Sequence, residues 1–152
     1  MANPAVEILK ENIAAIDASV KKLCYSYQIC SAIGIKSSYS EDEFAAFEAM
    51  TSRYARTTDM LVNKILRNID SVEYEDSGTI IDVMNRAEKR EIVQSAELLH
   101  TLKDLRNNIA HEYKINEIQK FFAEVLQNIP FLLKTIDSAN KYCEKYAGKT
   151  GA

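Results

Sequence analysis

The sequence predicts an all-α protein: an up-and-down bundle of about five helices forming one domain over residues 1–152, with its core at about 4–146 and a short C-terminal tail. Three observations predict it. Apolar residues recur three and four apart over long stretches, no run alternates with the period of two that a strand needs, and capping residues stand ahead of the periodic stretches. At 152 residues, 47% of them hydrophobic, with four Gly and two Pro, the chain can bury a real core and is neither disordered nor collagen-like.

Asn3 caps a first helix with Pro4 at its first position, where a missing amide hydrogen costs nothing. Leu9, Ile13, Ile16, Val20, Leu23, Tyr27 and Cys30 form its apolar seam up to the Gly34 stop, with Lys10, Asp17, Lys21 and Gln28 on the other side. Ser40 and Glu43 make a capping box for a second helix running to about Asp70. Phe44, Phe47, Tyr54, Leu61, Val62, Ile65 and Ile69 share its broad apolar face. Nearly opposite, Arg53, Arg56, Lys64 and Arg67 fall within an arc of about 80°. They form a rail able to meet RNA phosphates or, equally, an ordinary solvated face.

The acidic, turn-rich SVEYEDSG predicts a loop, after which Thr79 and Asp82 open a short third helix. Ser95 caps a fourth, with Leu98, Leu102, Leu105 and Ile109 as its core stripe. Asn116 and Gln119 resemble another capping box, which confines the connection to a very short stretch at Lys114 and Ile115. The fifth helix carries Ile118, Phe122, Val125, Ile129, Leu132, Ile136 and Cys143, and Pro130 is expected to kink or split it. The tail sequence GKT lacks the earlier glycine, preceding strand and following helix of a phosphate-binding loop.

A net charge of −3 gives no global argument for nucleic acid, so any such contact must be local. Cys24, Cys30 and Cys143 form no CxxC pair and read as small buried hydrophobes in a reducing compartment. The N-terminal residues lack the pattern of a signal peptide, and no stretch approaches a membrane span. The expectation is a soluble cytoplasmic protein without a cofactor.

Capable chemistry is concentrated in RNNIAHEY, Arg106 to Tyr113, where an Arg, two amides, one of two histidines and a Tyr stand together. On one straight helix Arg106 and His111 lie about 140° apart and cannot grip one atom. Either the helix unwinds before His111 or a second copy completes the site. His100, Asp104, Asn107 and His111 share a polar stripe, but ligands strung over more than two turns spread too far for one ion, and no metal is expected. The stripe is then a solvated or dimer-facing surface, or part of a catalytic cleft. A neutral His111 can take the proton of a ribose 2′-hydroxyl, Arg106 can hold the attacked phosphate, and Asn107 or Asn108 can orient the histidine.

With Tyr113 two residues after the histidine, this motif resembles the signature of HEPN-domain proteins, specifically the HepT-like toxins of HepT and MntA toxin-antitoxin systems. FEAMTSRYARTTDMLVNKILR looks like that family's second helix, and the similarity extends over most of residues 5 to 145. The resemblance implies a homodimer with a composite cleft and metal-independent endoribonuclease activity. It makes Arg106 and His111 the catalytic pair and Asn107 their polar support. It also implies an MntA-like nucleotidyltransferase antitoxin that modifies Tyr113 with AMP. Glu112 departs from the small residue common at that position, and a carboxylate there raises a neighbouring histidine's pKa. The reading from another class is a non-catalytic HEPN module that binds a nucleotidyltransferase partner or a nucleotide.

Overall fold

The computed structural model describes residues 3–75, 78–109 and 115–148, with Ile115 and Asn116 described by their backbone alone. The order is α1 (Pro4–Ile33), α2 (Glu41–Asp59), a π-helical segment (Met60–Leu66), α3 (Arg67–Val72), α4 (Ile80–Lys89), α5 (Ala96–Asn108) and α6 (Ile115–Ala147). No strand occurs among the described residues. The residues joining α2, the π segment and α3 keep right-handed helical dihedrals, so the three form one rod and the chain makes five helical bodies, the number expected. No helix among the described residues is long and apolar enough to cross a membrane.

Local signals account for most boundaries. The Asn3 side chain accepts from the Ala5 amide, with Pro4 at the first helical position. Both capping boxes form: Ser40 Oγ accepts from the Glu43 amide while Glu43 accepts from Ser40, and Thr79 and Asp82 do the same. Gly78 has φ +60°, and a Cβ there would sit 2.6 Å from Asp82 Oδ2, the oxygen that caps α4. A side chain at this position would push that carboxylate off the helix start.

The rod is the centre of the bundle, packed by α1, α5 and α6 and, at the π segment, by α4. Its apolar face is as predicted except that Phe44 is only half-buried, and Met50, Leu66 and Val72 join the core. Each fully buried Leu, Ile or Phe contributes roughly 1.5–3 kcal/mol. Because helices cover more than one side, polar residues are enclosed too. Asn68, Thr57 and Asp70 are buried, the last two completely.

The interface with α1 explains a change in that helix. Of the predicted seam, Val20 and Tyr27 are only half-buried, while Ser19 and Ser26 are buried in their place. The Thr57 hydroxyl donates to the Arg53 carbonyl at 2.7 Å, so Ser19 is the donor in the 2.6 Å hydroxyl pair between Ser19 and Thr57. Further down, Asn12 donates to Asn68 Oδ1 and Asn68 donates to the Ala5 carbonyl, each at 2.9 Å. Small polar residues let the helices approach and then satisfy one another.

Three expectations at the other end need correction. Leu98 and Ile109 are half-buried, and the α5 core face runs through Ala96, Leu99, Leu102 and Leu105. α5 stops at Asn108, and Ile115 and Asn116 lie inside α6, so Ile115 is not part of the connection and Asn116 does not stand ahead of the helix; Lys114 lies outside the described residues. Gln119 bonds the Ser37 carbonyl in the α1–α2 loop rather than closing a box. α6 also continues through Pro130 as one helix instead of splitting there, packed along Phe122, Val125, Ile129, Leu132, Ile136 and Cys143. A single missing amide hydrogen is outweighed by burial on both sides of it.

The two ends of the fold meet in an ion network. Asp70 accepts from Arg86 at 3.0 Å and from Arg90 at 2.6 Å, and Arg90 Nε donates to Glu73 at 2.8 Å. Glu73 also accepts from Tyr142 at 2.5 Å and from Tyr146, tying the end of the rod to the end of α6. Partial burial pushes the Glu73 carboxyl up, but the bonds from Tyr142, Tyr146 and Arg90 outweigh it and hold the group below the usual glutamate range.

Asp70→Ala leaves two guanidinium groups facing an empty buried site and should cost about 3 kcal/mol, measured as a lower urea midpoint at unchanged slope. A folded pKa below the unfolded one means that Glu73 stabilises above its unfolded value of about 4.3 and loses that contribution as pH falls through the folded value. Urea titrations of wild type and Glu73→Gln should therefore diverge at neutral pH and draw together as pH falls below the unfolded value of about 4.3.

Candidate functional site

The predicted motif begins at the C-terminal end of α5, where Ile109 closes a tight turn by donating its amide to the Arg106 carbonyl. Counted around α5, Arg106 falls between Leu99 and Leu102, about 20° from the first and 40° from the second. It therefore points along the buried side towards α2. Its guanidinium meets Asp59 in two parallel bonds, Nε to Oδ1 and Nη2 to Oδ2, both 2.8 Å. The Arg106 side chain is 28% exposed and that of Asp59 34%, so the pair sits at the rim of the bundle rather than inside it.

The two backbones are locked in the same register. Tyr54, fully buried on α2, donates its hydroxyl to the Leu102 carbonyl at 2.7 Å, one turn before Arg106. Burial pushes the Tyr54 phenol well above its ordinary value, so it remains a donor at any working pH. Asp59 stands directly before the π segment, where the helix widens. The Asp59 carboxylate raises the Arg106 pKa above its already high ordinary value, keeping the charge permanent. Two of the five guanidinium hydrogens are used. Among the described residues these two bonds to Asp59 are the ones the guanidinium makes.

Asn107 is exposed at the same helix end. Asn108 lines a groove between α5 and α6 with Thr101, Asp104, Leu105, Glu124 and Asn128. His111 and Tyr113, with Glu112 between them, lie outside the described residues. α5 ends at Asn108, and the expected separation of Arg106 and His111 falls outside the described residues. Of the polar stripe, His100 is half-buried and Asp104 exposed, and no group of three metal-ligating side chains forms among the described residues.

The four cations of the second helix are not equivalent. Arg53 donates to the Lys22 carbonyl at 3.2 Å and to Ser26 Oγ at 2.8 Å, acting as a tie to α1. Arg67 reaches the Gly78 carbonyl at 3.4 Å. Arg56 and Lys64 are exposed, and Lys64 shares a groove with Arg67, Asn12, Asn63, Asn68 and Ser71. The π segment lies between the first two cations and the last, so the arc drawn for a regular helix does not describe them.

Asp59 is the site residue that sequence reasoning missed. It lies about 100° from the centre of the second helix's apolar face, where solvated carboxylates are common, and nothing local marks it. Of the cysteines, Cys30 and Cys143 are buried as expected, which pushes their thiols up to about 11 and about 12 and keeps them protonated, whereas Cys24 is only half-buried. Compared with known protein families, curated proteins and solved structures, the chain matches none.

Because the Asp59 and Arg106 side chains are partly in water, Asp59→Ala should lower stability by only about 1 kcal/mol or less in urea titration. A loss comparable to that of Asp70→Ala would show that the pair is structural and effectively buried.

Proposed function

We propose that this chain is a HepT-like toxin, a metal-independent endoribonuclease that acts as a homodimer and is neutralised by an MntA-like nucleotidyltransferase through AMP transfer to Tyr113. The observation that carries the reading is Arg106 itself: a permanent cation at the rim, held by Asp59 through Nε and Nη2, at the start of the motif that holds His111. In this reading His111 takes the proton from a ribose 2′-hydroxyl, and that oxygen attacks the adjacent phosphorus. Arg106 balances the charge that builds on the phosphoryl oxygens, with Asn107 as polar support. The leaving 5′-oxygen acquires a proton and a 2′,3′-cyclic phosphate remains. DNA lacks the nucleophile and is not a substrate. Arg56 and Lys64, exposed on the rod, supply phosphate contacts, with Arg53 and Arg67 as their neighbours. AMP on Tyr113 adds bulk and negative charge to the motif and, in this reading, excludes the RNA backbone from the cleft.

The second reading is a non-catalytic module that binds the nucleotidyltransferase or a nucleotide. What favours it is that Asp59 already neutralises Arg106, leaving the pair a purely structural use. Incubating purified protein with total tRNA and a structured messenger RNA, with chelator present, separates the two. Cleavage to 2′,3′-cyclic ends by wild type, lost by at least about 100-fold in both Arg106→Ala and His111→Ala at unchanged helical content, is the expected result. Equal behaviour of wild type and both variants, with protein confirmed by mass to lack AMP, would leave the binding module.

A further inference from the structure

α1 has two exposed flanks of different character. One is polar, with Glu7, Lys10, Lys21 and Gln28. The other carries Ile8, Glu11, Ala15, Ala18, Lys22, Tyr25 and Ile29, spaced alternately three and four apart and all exposed. Ile8, Tyr25 and Ile29 are 52%, 63% and 37% exposed, so three of the large apolar side chains left in solvent lie on this single line. A 3.5-residue repeat of this kind is the seam of a helix pair.

The line is also palindromic. About a two-fold axis at the midpoint of Ile16 and Asp17, Ile8 faces Tyr25, Glu11 faces Lys22, and Ala15 faces Ala18. Antiparallel helix pairs place the first apolar position of the heptad opposite the second, which is the pairing this register gives. The charges fit only that direction. On this flank Glu11 makes the N-terminal half acidic, whereas Lys22, with the Arg53 guanidinium on its carbonyl, makes the C-terminal half basic. A parallel pair would set Glu11 against Glu11 and Lys22 against Lys22. The alanines at the crossing allow close approach.

We propose that this flank of α1 docks a second copy of the same chain, antiparallel and isologous, with two symmetric Glu11 to Lys22 pairs bracketing an alanine crossing. The occupant is identified by the self-complementarity: the surface carries its own partner's pattern in reverse. This pairing does not depend on the ribonuclease reading and survives its failure.

The test is sedimentation equilibrium of the full chain up to about 100 µM, for wild type, Lys22→Glu, Glu11→Lys and the double swap, each checked for unchanged helical content by circular dichroism. Wild type should run as a dimer. Each single change replaces two attractive pairs by two repulsive ones and should weaken association by about ten-fold or more. The double swap restores opposite charges and should return to within about three-fold of wild type. A monomeric wild type would overturn the proposal, as would single variants that dimerise as tightly as wild type or a double swap no better than either single.

Discussion

The structure depends on enclosing one long helical rod, Glu41 to Val72, between neighbours on more than one side. A helix lying on a surface can send its polar residues to water, but an enclosed one must partner most of them inside, and here Thr58 Oγ1 is the rod's exception among the described residues. Thr57 is answered by Ser19, Asn68 by Asn12 and the Ala5 carbonyl, Tyr54 by the Leu102 carbonyl, and Asp70 by Arg86 and Arg90. These bonds add little net energy individually, but leaving any one unmade costs more than making it contributes. They select one packing among the many that an apolar helix surface allows.

The same rod determines what the candidate site can be. Tyr54 fixes the height of α5 and Asp59 takes one face of Arg106, so the guanidinium is oriented from α2 rather than by its own helix. The π segment immediately beyond Asp59 widens the rod there, and α4 packs against that segment. Orientation by a carboxylate has two sides: it removes rotational freedom from the guanidinium and shares its charge. Which of these dominates is a question of what meets Nη1.

α1 serves both faces of the molecule. Its inner line meets the rod through small polar side chains, and one outer flank repeats a shorter seam with its charges reversed end to end. The far end of the rod is held differently, by carboxylates shared among arginines and tyrosines from α4 and α6. Stability is thus drawn from apolar burial along the bundle and from ion pairing at one end of it.

The sequence by itself determined the helical class, the number of helical bodies and most starts, because period and capping are local properties: Asn3, Ser40, Thr79 and Ser95 each act within one turn. It also showed that Arg106 heads the segment richest in candidate catalytic residue types. Only the tertiary structure decided that Ser19 and Ser26 are buried, since that follows from how closely another helix approaches. Only it decided that α6 runs unbroken through Pro130, since packing on both sides overrides the local preference, and that Asn116 lies inside that helix. The pairing of Arg106 with Asp59, 47 residues away, has no local signature at all. It exists because two helices far apart in sequence are held side by side by a core whose pattern says that they pack, but not which polar side chains will meet at its rim.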